Sequence, residues 1–334
     1  MEAIKSWYIK NINTRVSKQQ RRDILQERII WVDNLKSFGI LAVVLGHITS
    51  PLGYFIYSWH MPLFFFLAGF FLKFELSLKE FIKKDTKRLM IPYFIFAIFA
   101  LVVESLKRVA LNREKLEYLD EIKGIFIWMD YSSLINTYGF VLWFLPALFF
   151  SRLTIFLLNK IIKSELTQVI LILSIFYSSF YFNFIFAIDN AFNAVLFIFL
   201  GSIFYRHYQN IMKLNFLTFI LIAIIYYFDI PILHVASKNY ENFFINVFYA
   251  MSVIFILISV MKKISLKSQL ISLWANNTML IFIIHPYTNN IGHIITETLF
   301  YGEWYYKFFI SLIILQGLLL IKKRFTNRGI FQYV

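Results

Sequence analysis

Three histidines, His47, His60 and His285, lie inside long apolar runs of the chain. An ionisable side chain at the centre of a bilayer span costs roughly 2.5–3.5 kcal/mol or more, so each marks a functional candidate. Imidazole also titrates near neutral pH, which suits it to proton transfer. The step from Lys36 to His47 is eleven residues, which at about 100° per residue is three helical turns with roughly 20° left over. Both side chains therefore project from one face, and Asp33 falls within about 40° of His47 on the same reckoning. This predicts a polar stripe along one helix. The plainer reading makes Asp33 and Lys36 snorkelling interfacial residues and His47 a hydrogen-bonded packing residue.

The neighbouring segment weighs against that plainer reading. It runs Ser58-Trp59-His60-Met61-Pro62 and holds a second histidine two residues before a proline, which frees backbone carbonyls nearby. Two histidines facing each other across a tight helical hairpin suit proton transfer. The third, His285, precedes Pro286, with Thr278 seven residues earlier on nearly the same face. The chain has no cysteine, which excludes thiolate catalysis, disulfides and Cys-ligated metals. No HxxxH or HExxH spacing occurs, so no metal site is expected. A run of charge, Lys83-Lys84-Asp85-Thr86-Lys87-Arg88, precedes Leu89-Met90-Ile91-Pro92-Tyr93. Such a loop sets topology or attracts anionic lipid; it also suits a clamp for a polyanionic cofactor, in which Arg supplies bidentate donors and Lys point charges.

The elements that must carry these residues are membrane helices. Of 334 residues, 59% are hydrophobic and only 16% charged, with a mean hydropathy of +0.66, against about a quarter charged in soluble domains. The apolar blocks are long enough to cross a hydrocarbon core of about 30 Å. Ten runs are predicted as helices, near 35–50, 53–73, 89–106, 138–159, 166–187, 189–205, 214–233, 243–261, 273–291 and 305–321. The fifth and sixth are separated only by Asp189-Asn190. If the basic N-terminal tail is cytoplasmic, 24 of the 33 Lys and Arg residues fall on that side and seven on the other, with Lys36 and Arg152 at helix ends. The positive-inside rule then holds at every loop, and both termini are cytoplasmic. A net charge of +14 is thus explained without nucleic acid. The first thirty residues show no apolar signal-peptide core, so the first helix is expected to remain as an anchor. The loop 107–137, of mixed charge, is expected to lie on the outer membrane surface as a helix or lid. No internal repeat or low-complexity linker is evident.

The combination resembles the acyltransferase-3 family of membrane-bound sugar O-acyltransferases. It rests on Lys36, ten residues, then His47; on Trp59-His60-Met61-Pro62-Leu63-Phe64; on the basic loop before Leu89-Met90-Ile91-Pro92-Tyr93; on Leu142-Trp143-Phe144-Leu145-Pro146; and on Asn277 through His285. The resemblance spans roughly residues 28–290 and implies an all-α polytopic protein of about ten transmembrane helices in a bacterial inner membrane. It implies a basic cytosolic tail (1–30), one transmembrane acyltransferase domain (31–323), a short cytosolic tail (324–334), and a stand-alone form without the esterase-like domain that many members carry. The family's Arg-x-x-Arg motif is not matched literally; Lys84-x-x-Lys87 and the offset Arg88 are the nearest fits. The implied activity is transfer of an acyl group, usually acetyl from acetyl-CoA, to a sugar hydroxyl of a surface polysaccharide such as O-antigen or of its lipid-linked precursor. His47 is then the expected base or acyl relay, and His60 the proton relay. Lys36 and Asp33 would hold the cytoplasmic end of the polar path, with Lys84, Lys87 and Arg88 on the CoA phosphates. Trp143, Asn277 and His285 are the expected substrate-side residues, although Trp143 equally suits packing or interface anchoring. A pantetheine arm would reach His47 through a channel open to the cytoplasm. The competing reading is a proton-coupled transporter or flippase for a saccharide or small solute, which inverted repeats and paired broken helices would favour; neither is evident.

Overall fold

The computed structural model describes residues 18–211, 215–227, 229–264, 266–299 and 301–324. The two tails therefore lie outside the described residues apart from their inner ends, as does Lys213. Helix covers most of the described chain, and the only sheet among the described residues is a two-residue antiparallel bridge. Each of the ten apolar runs contains helix. Five helices are individually long and apolar enough to cross a membrane: Leu78–Ala110, Tyr138–Ile161, Ile185–Tyr208, Phe243–Ile264 and Trp304–Arg324. The remaining runs are shorter, broken or more polar, and prolines and buried polar residues account for much of the breakage.

Helix α1 (Lys18–Gly46) carries Lys36 and ends just before His47. The second run is not one helix but two pieces, α2 (Gly53–Tyr57) and α3 (His60–Phe70), with Trp59 out of helical conformation between them. Pro62 is the reason. It lacks an N–H and disfavours helical backbone in the preceding residue, so it is accommodated in a first turn, where no intrahelical bond is required. The helix accordingly restarts at His60.

The third run is longer than expected. Helix α4 (Leu78–Asp85) opens on a capping box in which Ser77 and Glu80 satisfy each other's backbone donors, and it continues through a π turn (Thr86–Met90) into α5 (Ile91–Ala110). The π turn carries the Ile91 N–H to the Thr86 carbonyl, one residue further back than an α-helix, immediately before the donorless Pro92.

Beyond it, α6 (Tyr118–Lys123), a second π turn (Gly124–Trp128) and α7 (Tyr131–Leu134) fold the loop after α5 into short helices. A 3₁₀ turn (Tyr138–Trp143) leads into α8 (Phe144–Ile161). Helix α9 (Glu165–Ser178) stops well short of the expected 187. The break between the fifth and sixth runs lies here and not at Asp189-Asn190, because Phe186 and Ala187 adopt positive φ. Asp189 instead sits in the first turn of α10 (Ile188–Ile211), paired with Lys238 at 2.6 Å.

Helix α11 (Asn215–Tyr227) is followed by the bridge of β1 (Leu233–His234) and β2 (Asn239–Tyr240). Helix α12 (Phe243–Ile264) comes next. The ninth run is split at Asn277 into α13 (Gln269–Asn276) and α14 (Thr278–Leu299), and α15 (Trp304–Arg324) closes the chain.

The tightest helix pair is α3 with α10, and two glycines make it so. A Cβ on Gly69 would lie 1.9 Å from the Ile198 carbonyl oxygen, and one on Gly201 2.0 Å from that of Phe66. Small residues that let backbones touch are the usual device of helix contacts in lipid. Gly201→Ala must push α10 away from the helix that carries His60. It is expected to destabilise the protein by about 1–3 kcal/mol, as overpacking does, and to lower its melting temperature in detergent.

Candidate active site

Two backbone carbonyls orient two imidazoles, and a proline frees one of them. Pro286 has no N–H to give to the carbonyl of Phe282, four residues back, and His285 Nδ1 lies 2.8 Å from that oxygen. At the α2–α3 break, His60 Nδ1 lies 2.8 Å from the Ile56 carbonyl. A carbonyl only accepts, so both rings carry their proton on Nδ1 and present Nε2 as a lone pair. His285 and His60 are almost fully buried, at 0% and 1% exposure, and His285 Nε2 has no partner. An unpaired buried acceptor carries a desolvation penalty, and such a group calls for an explanation.

His47 lies between them. Its ring centre is 4.9 Å from that of His285 and 6.5 Å from that of His60, and the Tyr57 hydroxyl is 3.2 Å from His47 Nδ1. The three histidines picked out from three separate runs thus form one cluster. Among the described residues no group of His, Asp or Glu is arranged to hold a metal ion.

His47 and His60 border a small open cleft, which His285, behind them, does not line. His47, His60, Tyr57, Met61 and Phe282 form its inner wall, and Phe140, Val141 and Trp143 one side. Tyr131, from the loop after α5, and the stretch His234 to Ala236 complete it. Trp143 lines the cleft and also packs on Phe65 and Phe144. His234, Tyr57 and Tyr131 were not singled out from the sequence. His234 is the first residue past the expected seventh span, and its place there, three residues after Pro231, is the signal in the sequence. Tyr57 and Tyr131 stand among 20 tyrosines with no distinguishing pattern.

The cationic residues gather at the other end of α1, about 16 Å from His47 at 1.5 Å per residue. Lys36 lies within electrostatic range of Asp33 and Arg88, and its ammonium sits 5.2 Å from the Phe71 ring centre. Arg88 and Lys84 both neighbour Asp85 and Arg152. Arg152 Nε donates to Asp85 at 2.7 Å, and its Nη1 to the Ala68 carbonyl at 2.8 Å. Arg152, set aside in the sequence as a helix-end residue, is thus a member of this group. Lys87 is exposed and pairs with none of these among the described residues.

Two expectations change. The stripe from Lys36 to His47 is not continuous, because Ile40 and Val43 lie on it and are fully buried, and none of Lys36, Lys84, Lys87 and Arg88 lines the cleft. Asn277 is not near His285. It sits at the α13–α14 break, eight residues and about 12 Å along the helix, where its amide donates to the Leu273 carbonyl at 2.6 Å. A helix end needs its last carbonyls satisfied, and Asn277 does that.

The arrangement holds three neutral-capable imidazoles at one end of the bundle and a cluster of guanidinium and ammonium groups at the other. Comparison with known proteins agrees with the resemblance. The family model for the acyltransferase domain of the acyltransferase-3 type matches residues 29–321. No curated protein and no solved structure matches the chain. Since the model spans nearly the whole chain and its helices are those of a membrane protein, the chain belongs to the acyltransferase-3 family of membrane acyltransferases.

Proposed function

We propose that the protein transfers an acyl group, most simply acetyl, from acyl-CoA to a sugar hydroxyl of a surface polysaccharide or its lipid-linked precursor. The single observation that carries this reading is the His47–His60–His285 cluster with an unpaired buried Nε2. In this reading ten spans in a bacterial inner membrane place both chain ends in the cytoplasm, and the cleft faces outward.

A sugar hydroxyl is a weak nucleophile until its proton leaves. An imidazole of the cluster, with His47 as the base, takes that proton as the oxygen attacks the thioester carbonyl. The new C–O bond forms, the C–S bond breaks, and the imidazolium returns the proton to the departing thiolate of CoA. His60 and His285 hold His47 in a dry, apolar setting and share the proton. The Lys36–Arg88 end receives the phosphates of CoA, for which Arg supplies paired donors. Because Ile40 and Val43 separate that end from His47, the pantetheine arm must displace them or pass beside α1. Lipid, the acyl donor and the glycan are the partners; no nucleic acid is involved.

The direct test is NMR of surface polysaccharide from cells with and without the gene. Loss of ester-linked acetyl signals with polymer export intact supports the assignment; unchanged acetylation, or blocked export with no acetyl-CoA consumed, overturns it. The donor end has its own test. Arg88→Ala is expected to raise KM for acetyl-CoA by about 10- to 100-fold, the equivalent of a charged hydrogen bond worth ~1.5–3 kcal/mol. It should leave KM for acetyl-pantetheine, which lacks the nucleotide phosphates, unchanged.

A further inference from the structure

The loop between α11 and α12 puts a fourth histidine on the cleft, and its ring is held the opposite way round from the others. His234 begins a 3₁₀ turn in which its Nδ1 accepts the Ser237 backbone N–H at 3.3 Å and lies 2.7 Å from Ser237 Oγ. A backbone N–H only donates, so Nδ1 carries the lone pair and the neutral ring keeps its proton on Nε2. That Nε2–H has no partner among the described residues, and the residue lines the cleft. The ring is sandwiched sideways, stacked on Tyr57 at 5.5 Å and edge-on to Tyr131 at 5.4 Å. Tyr57 is the residue that also contacts His47, at 3.2 Å. His60 and His285 therefore offer lone pairs, whereas His234 offers a donor.

We propose that His234 positions the acceptor: its Nε2–H donates a hydrogen bond to a sugar oxygen in the cleft, so that the hydroxyl to be acylated is aimed at His47. This rests on the acyl-transfer reading above. A polyhydroxylated ring is the chemistry that fits, because the cleft combines this donor with aromatic faces from Tyr131, Phe140 and Trp143, against which the apolar face of a pyranose packs. Burial lowers the imidazole pKa of His234 from its ordinary value, which keeps the ring neutral and its tautomer defined at pH 7. The Lys238–Asp189 pair at 2.6 Å and Lys238 to Asn183 at 2.8 Å anchor the far side of the turn to α10 and the segment before it.

Two substitutions separate donation from packing. His234→Phe keeps a ring against Tyr57 and Tyr131 but has no N–H; His234→Gln loses the ring and keeps a donor. Membranes from cells lacking the chromosomal gene, carrying their own glycan acceptor and each full-length variant, are supplied with radiolabelled acetyl-CoA, and label entering glycan is followed against donor concentration. With equal protein levels, His234→Phe is expected to lower the maximal rate by about tenfold, the value of one lost hydrogen bond, with KM for acetyl-CoA unchanged. His234→Gln should retain rates within about threefold of the wild type. The opposite order, Phe active and Gln inactive, assigns the residue to packing and overturns the proposal, as does a change in donor KM alone or a wild-type rate in both variants. If wild-type membranes transfer no label above the gene-deleted control, the acyltransfer reading fails, and this proposal with it. If the wild type transfers label and His234→Phe matches it, only the present proposal fails.

Discussion

His47→Ala is expected to reduce transfer of acetyl to glycan by about 10²–10⁴-fold, the range that a positioned general base contributes. The site should otherwise remain folded, because the ring makes one side-chain hydrogen bond, to Tyr57, and the residue is not wholly buried. Its neighbours predict how the loss combines. His285 lies 4.9 Å away ring to ring and His60 6.5 Å, so the three share one proton pathway. Residues that act as a unit are strongly non-additive. The double variant His47→Ala/His285→Ala should therefore be little slower than His47→Ala alone. Initial rates of label transfer in membranes, at matched protein levels, check both statements. Full activity in His47→Ala removes the base assignment, and losses that multiply in the double variant remove the shared pathway.

Arg152→Met is expected to destabilise the protein by about 3–5 kcal/mol, because it strands the carboxylate of Asp85 in the bundle. The two side chains are 10% and 1% exposed and meet at 2.7 Å. The guanidinium also donates to the Ala68 carbonyl in α3 and lies over the Phe81 ring at 5.7 Å, so it ties the α4–π-turn segment to α8 and to the helix that carries His60. Replacing both charges is a different case. Asp85→Leu with Arg152→Met removes the stranded charge, and substitution of whole buried pairs by apolar residues is often close to neutral. The double variant should recover most of the lost thermal stability, measured as the temperature at which detergent-solubilised protein leaves the monodisperse peak. A melting temperature for Arg152→Met equal to that of the wild type would show that solvent reaches Asp85.

Local chemistry made much of this protein legible in its sequence. Apolar runs long enough for a bilayer announce helices because unpaired backbone is too expensive in lipid, and helix occurs in each of the ten runs. His285 stands beside Pro286, which releases the Phe282 carbonyl that its imidazole uses, and His60 turns onto the Ile56 carbonyl at the break before Pro62. The places where reading along the chain went astray are those governed by distant partners. Asp189 reads as a helix breaker, but its charge is met by Lys238, 49 residues on, so the chain turns earlier, at Phe186 and Ala187. Lys36 and His47 share a helix face by arithmetic, while Ile40 and Val43 on that same face are sealed by neighbouring helices. Asn277 reads as a site residue because it precedes His285, yet a helix break claims its amide. The cleft itself belongs wholly to tertiary structure. Its outer wall joins Tyr131 and His234, which lie about a hundred positions apart in the sequence. The donor proton on His234 is set by Ser237 within a turn that no hydropathy pattern marks. Sequence specifies which side chains are costly to bury; only the folded bundle decides which of them are buried together, because that depends on contacts between segments whose separation along the chain carries no trace of their proximity in space.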